Sequence, residues 1–272
     1  MINWLEALVL GIVQGATEYL PVSSSGHLVI AQRLFGLEES ALFFDIVLHF
    51  GTLLAVVWFY RADLVKLASE AFAGLRNLVS GHSWNETLES YPGFRFALLI
   101  VVGTIPTALI GHTFEETFER LFGSVRLVGL MLIVTGTVLL LTRLARSGGR
   151  DAAEMTWVDA LTIGVVQGLG ITPGISRSGI TIAAALLLGI ERETAARYSF
   201  LLSVPSILGA LVHRMSGVDD GVGTTALVVG FGAAALTGYF CLSLLVRLVK
   251  RGRLSWFAPY CFALGLLALV FG

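Results

Sequence analysis

The stretch TEYLPVSSSGHLVI, residues 17 to 30, interrupts what would otherwise be the first apolar helix of the chain. It places a glutamate, three serines and a histidine beside a proline, with apolar sequence on both sides. Proline lacks a backbone donor and breaks a helix, and hydroxyl side chains compete for backbone hydrogen bonds. We therefore predict that the chain turns back here between two short helices.

The rest of the chain has the composition of an integral membrane protein. Of its 272 residues, 56% are hydrophobic and 14% are charged, whereas a soluble domain has roughly a quarter charged residues. The mean hydropathy is +0.83. The formal net charge of -1 indicates no nucleic-acid partner, and the two cysteines lie in apolar runs without metal-ligand spacing. The partner that the composition predicts is the lipid bilayer.

Six apolar runs are long enough to cross a bilayer, which takes about 20 residues. Two further segments, residues 3–37 and 156–190, are apolar at both ends but contain Gly, Pro and clustered hydroxyls in the middle. Irregular backbone at membrane depth is tolerated only where it is buried in protein or lines a wet cavity. Each of these two segments is therefore predicted to be a re-entrant helical hairpin. The six predicted spans are residues 41–60, 94–112, 124–143, 196–213, 224–246 and 254–271.

The two hairpin segments are copies of each other, offset by 153 residues (157 minus 4). Each copy precedes three spans, so the second half enters the membrane from the opposite side, as in an inverted-topology repeat. We predict an all-α polytopic membrane protein with a single membrane domain, residues 1–272, made of repeat 1 (1–150) and repeat 2 (151–272). The aligned pairs include Trp4 with Trp157, Gly11 with Gly164, Gln14 with Gln167, Ser23 with Ser176, Ser25 with Ser178 and Gly26 with Gly179.

Charged residues distribute unevenly between the two sides of this topology. Cytoplasmic loops carry excess Lys and Arg, so the basic side is predicted to be cytoplasmic and the mouth of the first hairpin to open outside. The predicted location is the bacterial cytoplasmic (inner) membrane. The basic side has Arg61, Lys66, Arg76, Arg143, Arg146, Arg150, Arg192, Arg247, Lys250, Arg251 and Arg253, whereas the other has Arg33, Arg120 and Arg214 amid Glu38, Glu39, Glu115, Glu116, Glu119, Asp219 and Asp220.

Glu18 is an ionisable residue placed at membrane depth, where such groups usually have a function. It follows Gln14 by four residues, which puts both side chains on one face of a helix. Carboxylate and amide oxygens are hard ligands, so the pair can hold a hydrated divalent cation, Mg or Ca. The alternative is that the two side chains only hydrogen-bond the broken backbone. The repeat has Ile171 at the position of Glu18, and this asymmetry favours chemistry over scaffolding.

The motif PVSSSGH offers hydroxyls at a helix N-terminus, where free backbone amides attract anions such as phosphate. His27 lies three residues after Ser24, within reach of its hydroxyl proton on a helical turn. Ser23 and Ser25 are alternative nucleophiles, because the sequence does not rank three adjacent serines. The ordinary alternative is a capping serine beside a buried histidine. An intramembrane carboxylate in the same segment favours the functional interpretation.

The second hairpin segment contains TPGISRSGIT. The guanidinium of Arg177, beside the hydroxyls of Ser176, Ser178 and Thr181, can bind a phosphate group bidentately. An internal salt bridge from Arg177 to Glu18 is the alternative, and both can hold, because an arginine in an empty site needs a partner. Together the hairpins supply a nucleophile, a base, a metal-ligand pair and an anion clamp, which are the requirements of phosphoryl transfer.

These two motifs resemble those of the bacterial undecaprenyl-diphosphatase family of bacitracin-resistance proteins. QGATEYLPVSSSGH (14–27) is similar to the family's first motif and PGISRSGIT (173–181) to its second, and the resemblance covers essentially the whole chain. It implies hydrolysis of undecaprenyl diphosphate to undecaprenyl phosphate and inorganic phosphate, which recycles the lipid carrier of peptidoglycan synthesis and gives bacitracin resistance. It also implies essential roles for Glu18, Ser24, His27 and Arg177, and supporting roles for the hydroxyls of Ser23, Ser176 and Thr181. The set of residues predicted to bind the substrate phosphate is Arg177, Ser23, Ser25, Ser176, Ser178 and Thr181.

Several alternatives stay open on the sequence alone. Gln14 stands where some relatives have a second Glu, so a water-mediated Mg or Ca ion is an alternative to direct ligation by Gln14 and Glu18. Water can replace Ser24 as the nucleophile, and a homodimer is compatible with the sequence. Inverted repeats are also typical of secondary transporters, which need no nucleophile. The histidines outside the motifs, among them His49, are interpreted as packing or interfacial residues, and Tyr260 as part of an aromatic belt.

Overall fold

A computed structural model describes residues 2–36, 42–145, 149–214 and 222–272. Over these residues the chain is helical and contains no strand, which confirms the predicted all-α class. Two 3-10 helices, Thr142–Leu144 and Leu254–Phe257, extend longer helices. The α-helices are α1 (Trp4–Tyr19), α2 (Ser24–Leu34), α3 (Leu42–Phe59), α4 (Arg61–Val79), α5 (Trp84–Ser90), α6 (Pro92–Thr113), α7 (Glu115–Phe122), α8 (Val125–Leu141), α9 (Trp157–Leu169), α10 (Arg177–Leu187), α11 (Arg192–Arg214), α12 (Thr224–Lys250) and α13 (Ala258–Phe271).

Polytopic membrane character is confirmed by the length and composition of the helices. Five helical stretches are long and apolar enough to cross a membrane, and they coincide with five of the six predicted spans. The sixth prediction corresponds to α3, which turns by 74° into the amphipathic α4, so that the two form one bent pair. Some sequence predictions lie outside the described residues. They are the hairpin limit at residue 37, the span limit at residue 41 and the charges at Glu38, Glu39, Arg146, Asp219 and Asp220.

Both broken segments form pairs of short helices joined by a turn. A capping box from Asn3 starts α1, and one from Thr156 starts α9, so both first helices begin with satisfied backbone donors. The first turn is closed by Ser23, a non-glycine residue in the left-handed region with φ of 69°. In the second turn Gly174 has φ of 90°, a conformation that glycine adopts without strain. Their re-entrant placement in the bilayer stays a prediction.

The first helix of each hairpin packs against a long helix of the opposite half, α1 against α12 and α9 against α6. Glycines permit this close approach. A Cβ added at Gly11 would lie 2.5 Å from the Gly230 oxygen, and one added at Gly164 would lie 2.1 Å from the Gly103 oxygen. These two glycines are aligned in the sequence repeat, and helix interfaces in membranes favour small residues for this reason. The exchange of partners brings the two hairpins together, whereas the inverted orientation of the halves stays a prediction.

Arg150 anchors the second hairpin at its open end. Its guanidinium donates to both carboxylate oxygens of Asp159 on α9, at 2.7 and 2.9 Å, and to the backbone oxygen of Leu188 after α10, at 2.9 Å. The Arg150 side chain therefore links the start of α9 to the end of α10. The turn between these two helices lies at the opposite end of the hairpin.

Candidate active site

The carboxylate of Glu18 is the centre of a buried polar cluster near the end of α1. Its Oε1 is ion-paired with the guanidinium of Arg177, from the other half of the chain. Its Oε2 accepts hydrogen bonds from the Ser24 hydroxyl at 2.7 Å and from the Gln14 amide at 3.0 Å. Glu18 is 7% exposed. The structure thus contains the salt bridge between Glu18 and Arg177 that the sequence left as an alternative. Ser24 and Arg177, the first residues of α2 and α10, both contact the Glu18 carboxylate.

The predicted supporting hydroxyls of the two turns adopt matching positions. Ser23 caps α2 by accepting from the Gly26 amide at 3.3 Å, and Ser176 caps α10 by accepting from the Gly179 amide at 3.2 Å. Their hydroxyls lie 3.2 Å from that of Ser25 and 3.3 Å from that of Ser178, respectively. Each turn is therefore held by its own cap, and these serines fix where the two helices begin.

The backbone of Arg177 is linked to α10 and α11 by hydrogen bonds of the Thr181 hydroxyl. The Thr181 hydroxyl lies 2.8 Å from the Arg177 carbonyl oxygen, to which it donates, and 2.5 Å from the Ser199 hydroxyl. A small cavity of mixed lining borders the ion pair, between the polar side chains of Glu18, Arg177, Gln167 and Ser203 and the rings of Tyr19 and Phe200, among others. Arg177 retains 20% side-chain exposure. The backbone of Arg177 is therefore held by Thr181, whereas its guanidinium is partly accessible to a ligand.

The hydrogen bond predicted between Ser24 and His27 is not the one that forms, and this part of the prediction is corrected. The Ser24 hydroxyl donates to Glu18, and both ring nitrogens of His27 are engaged elsewhere. Nδ1 lies 2.8 Å from the Ser23 carbonyl oxygen, and Nε2 lies 2.6 Å from the Tyr260 hydroxyl. The ring folds back over the preceding helical turn, which is the direction that side chains take on a helix. A catalytic role for His27 stays a prediction.

Two residues near the site were missed in the sequence. His49, interpreted as packing, places Nε2 3.8 Å from Glu18 Oε2, while its Nδ1 lies 2.8 Å from the Asp45 carbonyl oxygen. The available signal was an ionisable residue inside an apolar span. Tyr260, interpreted as an aromatic-belt residue, contacts His27, 233 residues away in the chain. No local pattern marks that contact.

The predicted cation ligands Gln14 and Glu18 contact each other through the Gln14 amide group, which donates to Glu18 Oε2 at 3.0 Å. The Gln14 amide oxygen is buried and has no hydrogen-bond partner among the described residues, which leaves an oxygen ligand with spare capacity. The residues that the structure describes contain no group of three or more His, Cys, Asp or Glu arranged to hold a metal. A Mg or Ca ion at Gln14 and Glu18 stays a prediction.

Comparison with known proteins identifies the family. The family model described as Bacitracin resistance protein BacA matches residues 7–267. The chain belongs to the BacA family. It is 46% identical to an Undecaprenyl-diphosphatase of Desulfatibacillum aliphaticivorans and 48% identical to one of Desulfosudis oleivorans, with 98% of each chain covered in both cases. An Undecaprenyl-diphosphatase of Carboxydothermus hydrogenoformans is 43% identical, with 98% of this chain and 97% of the relative covered. Membership in BacA confirms the resemblance found in the two motifs.

Proposed function

We propose that this BacA-family chain is a membrane phosphatase that hydrolyses undecaprenyl diphosphate to undecaprenyl phosphate and inorganic phosphate. One observation carries the proposal: a serine hydroxyl donates to a buried carboxylate that is ion-paired with an arginine. A transport site requires the charges but not the hydroxyl. The names of the relatives, which match over nearly their whole length, support the same activity. Hydrolysis would recycle the lipid carrier of peptidoglycan synthesis and thereby give bacitracin resistance.

The location of the site suits a lipid diphosphate. The polyprenyl tail partitions into the bilayer, whereas the diphosphate requires polar partners and a cationic group. The two hairpin turns place hydroxyls, a guanidinium and helix N-termini together within a bundle of apolar helices. We propose that the head group enters sideways from the lipid and that Arg177 binds the terminal phosphate, with Ser23, Ser25, Ser176, Ser178 and Thr181 as its supporting hydroxyls.

In the proposed first step, the phosphate draws the guanidinium of Arg177 away from Glu18. The carboxylate then loses its counter-ion and becomes a better proton acceptor. Glu18 takes the proton of Ser24, whose oxygen forms a bond to the terminal phosphorus while the bond from phosphorus to the bridging oxygen breaks. Undecaprenyl phosphate leaves. Stabilisation of the transferred group comes from positioning and charge neutralisation, as in other phosphoryl transfers.

In the second step, the water oxygen forms a bond to the phosphorus of the phosphoserine while the bond from phosphorus to the Ser24 oxygen breaks. Glu18 returns its proton to Ser24, and inorganic phosphate leaves. We propose that His27 accepts the proton of this water at Nε2, because Nδ1 is occupied by the Ser23 carbonyl oxygen. Glu18 and Gln14 would hold a divalent cation through water, so that the Glu18 carboxylate stays available as the proton acceptor. Mg or Ca would supply charge neutralisation to phosphate oxygens, and chelation would then lower the rate of phosphate release.

We further propose that the site opens to the outer side of the bacterial cytoplasmic membrane. The support is the excess of Lys and Arg on the opposite side of the predicted topology. The substrate would then be the diphosphate lipid of the outer leaflet. The inverted repeat and a homodimer stay predictions.

Phosphate release by the purified protein tests the proposed function. The full chain in detergent or lipid nanodiscs is given a polyprenyl diphosphate, and free phosphate is measured. We expect release by the unaltered chain and loss of orders of magnitude in Ser24→Ala. Absence of release, together with movement of labelled lipid across a vesicle membrane, would replace the phosphatase with a transporter.

A further inference from the structure

The start of α13 contacts the catalytic turn of the first hairpin through two adjacent residues. Cys261, which is buried, places its sulfur 3.4 Å from the Pro21 carbonyl oxygen. Tyr260 stacks on His27, with ring centroids 5.7 Å apart and an angle of 8° between the ring planes. The Tyr260 hydroxyl lies 2.6 Å from His27 Nε2. The last helix of the chain therefore holds both the turn itself and the histidine on the following turn of α2.

The hydrogen bonds of His27 fix its tautomer. The Ser23 carbonyl oxygen can only accept, so the proton of the neutral ring lies on Nδ1. Nε2 then carries a lone pair, and the hydroxyl of Tyr260 is the group that donates to it. A backbone oxygen on one side and a phenol on the other thus set both the tautomer and the direction in which the acceptor nitrogen points.

We infer that Tyr260 is a positioning residue for His27 in the proposed phosphatase reaction. Its hydroxyl and ring hold the imidazole neutral, with Nε2 oriented as a proton acceptor. Tyr260 is 48% exposed, so water can reach its hydroxyl, and the phenol passes its proton to Nε2 as it accepts one from the attacking water. The hydrogen bond to Nε2 is therefore retained during the step. The inference rests on the proposed function, and it assigns to α13 a role that neither motif contains.

Substitution at Tyr260 separates positioning from general packing. Tyr260→Phe keeps the stacked ring and removes the hydroxyl, whereas Tyr260→Leu removes both. We expect Tyr260→Phe to lower kcat about tenfold, because one good hydrogen bond contributes about 1.4 kcal/mol. KM should change less than about twofold. Tyr239→Phe is the matched control, since that ring packs on Phe59 and Phe240. The control should keep full activity.

A double variant tests whether Tyr260 acts through His27. In a His27→Gln background, Tyr260→Phe should cost no further activity, because residues that act as a unit are non-additive. Equal losses in both backgrounds would overturn the inference. Equal kcat in Tyr260→Phe and the unaltered chain would overturn it as well.

The tautomer of His27 gives a second readout that does not depend on activity. Nitrogen-15 NMR of histidine-labelled protein, with the His27 signals assigned by their loss in His27→Gln, should show protonated Nδ1 and an Nε2 that accepts a hydrogen bond. Tyr260→Phe should shift the Nε2 signal. Protonated Nε2 in the unaltered chain would refute the inference without any substitution. Failure of the phosphatase proposal is seen separately, as absent phosphate release by the unaltered chain.

Discussion

The ion pair between Glu18 and Arg177 gives the sharpest prediction, because neutralising one partner leaves the other charge inside an apolar bundle. Their side chains are 4% and 20% exposed. Breaking a buried ion pair costs about 3 to 5 kcal/mol, since the remaining charge is uncompensated. We expect Glu18→Gln to lower the free energy of unfolding by this amount. For a chain of this size, each kcal/mol shifts Tm by about 2 to 4 °C, so the expected loss is on the order of 10 °C.

The two single variants should differ in a definite direction. Arg177→Met leaves a carboxylate that can become neutral by binding a proton, whereas Glu18→Gln leaves a guanidinium that cannot lose one. Arg177→Met is therefore expected to be the less destabilised. The double variant removes both charges and should recover most of the stability, within about 2 kcal/mol of the unaltered chain, because replacing a whole buried pair is often nearly neutral. It should have no phosphatase activity.

Thermal unfolding of the purified protein in detergent measures the four proteins of this cycle. The matched control is Glu116→Gln with Arg120→Met on α7, where the two side chains are 86% and 80% exposed and 3.2 Å apart. An exposed pair of this kind contributes less than about 1 kcal/mol, so the control variants should unfold close to the unaltered temperature. A Glu18→Gln loss no larger than the control, or losses that simply add in the double variant, would refute the reasoning.

Three further outcomes are expected. Ser24→Ala and Glu18→Gln should each lower kcat by orders of magnitude, and the double variant should be little worse than either. Additive losses in the logarithm of kcat would contradict a proton transfer between Ser24 and Glu18. A cysteine introduced by Ser25→Cys should react with a membrane-impermeant thiol reagent applied from outside and be protected by the substrate lipid, whereas reaction only in inverted vesicles would reverse the proposed orientation. Gly164→Ala should destabilise the bundle in thermal unfolding, because the added Cβ would lie 2.1 Å from a backbone oxygen of α6. Gly209→Ala, with nothing within 4 Å of the added Cβ, is the control and should be neutral or stabilising, because alanine favours helix.

The sequence by itself determined the class of the protein, because the relevant signals are local and repeat along the chain. Long apolar runs predicted six spans, of which five are helical stretches of spanning length and the sixth belongs to the bent pair of α3 and α4. The interrupted runs predicted two pairs of short helices. The offset of 153 residues (157 minus 4) aligned glycines that prove to be close helix contacts, Gly11 and Gly164 among them. Motif chemistry also left a salt bridge between Arg177 and Glu18 as an alternative to phosphate binding, and the structure contains that salt bridge, because charges at membrane depth need partners.

Only the tertiary structure decided which groups share each proton. Spacing along α2 predicted that His27 would take the proton of Ser24, but the Ser24 hydroxyl donates to the carboxylate of Glu18 on the preceding helix. His27 is instead held by Tyr260, which reaches the site because α13 packs along α8 beside the first hairpin. A hydrogen bond depends on distances of a few tenths of an ångström and on direction. Those quantities are set by how distant helices pack, and no spacing within one helix encodes them.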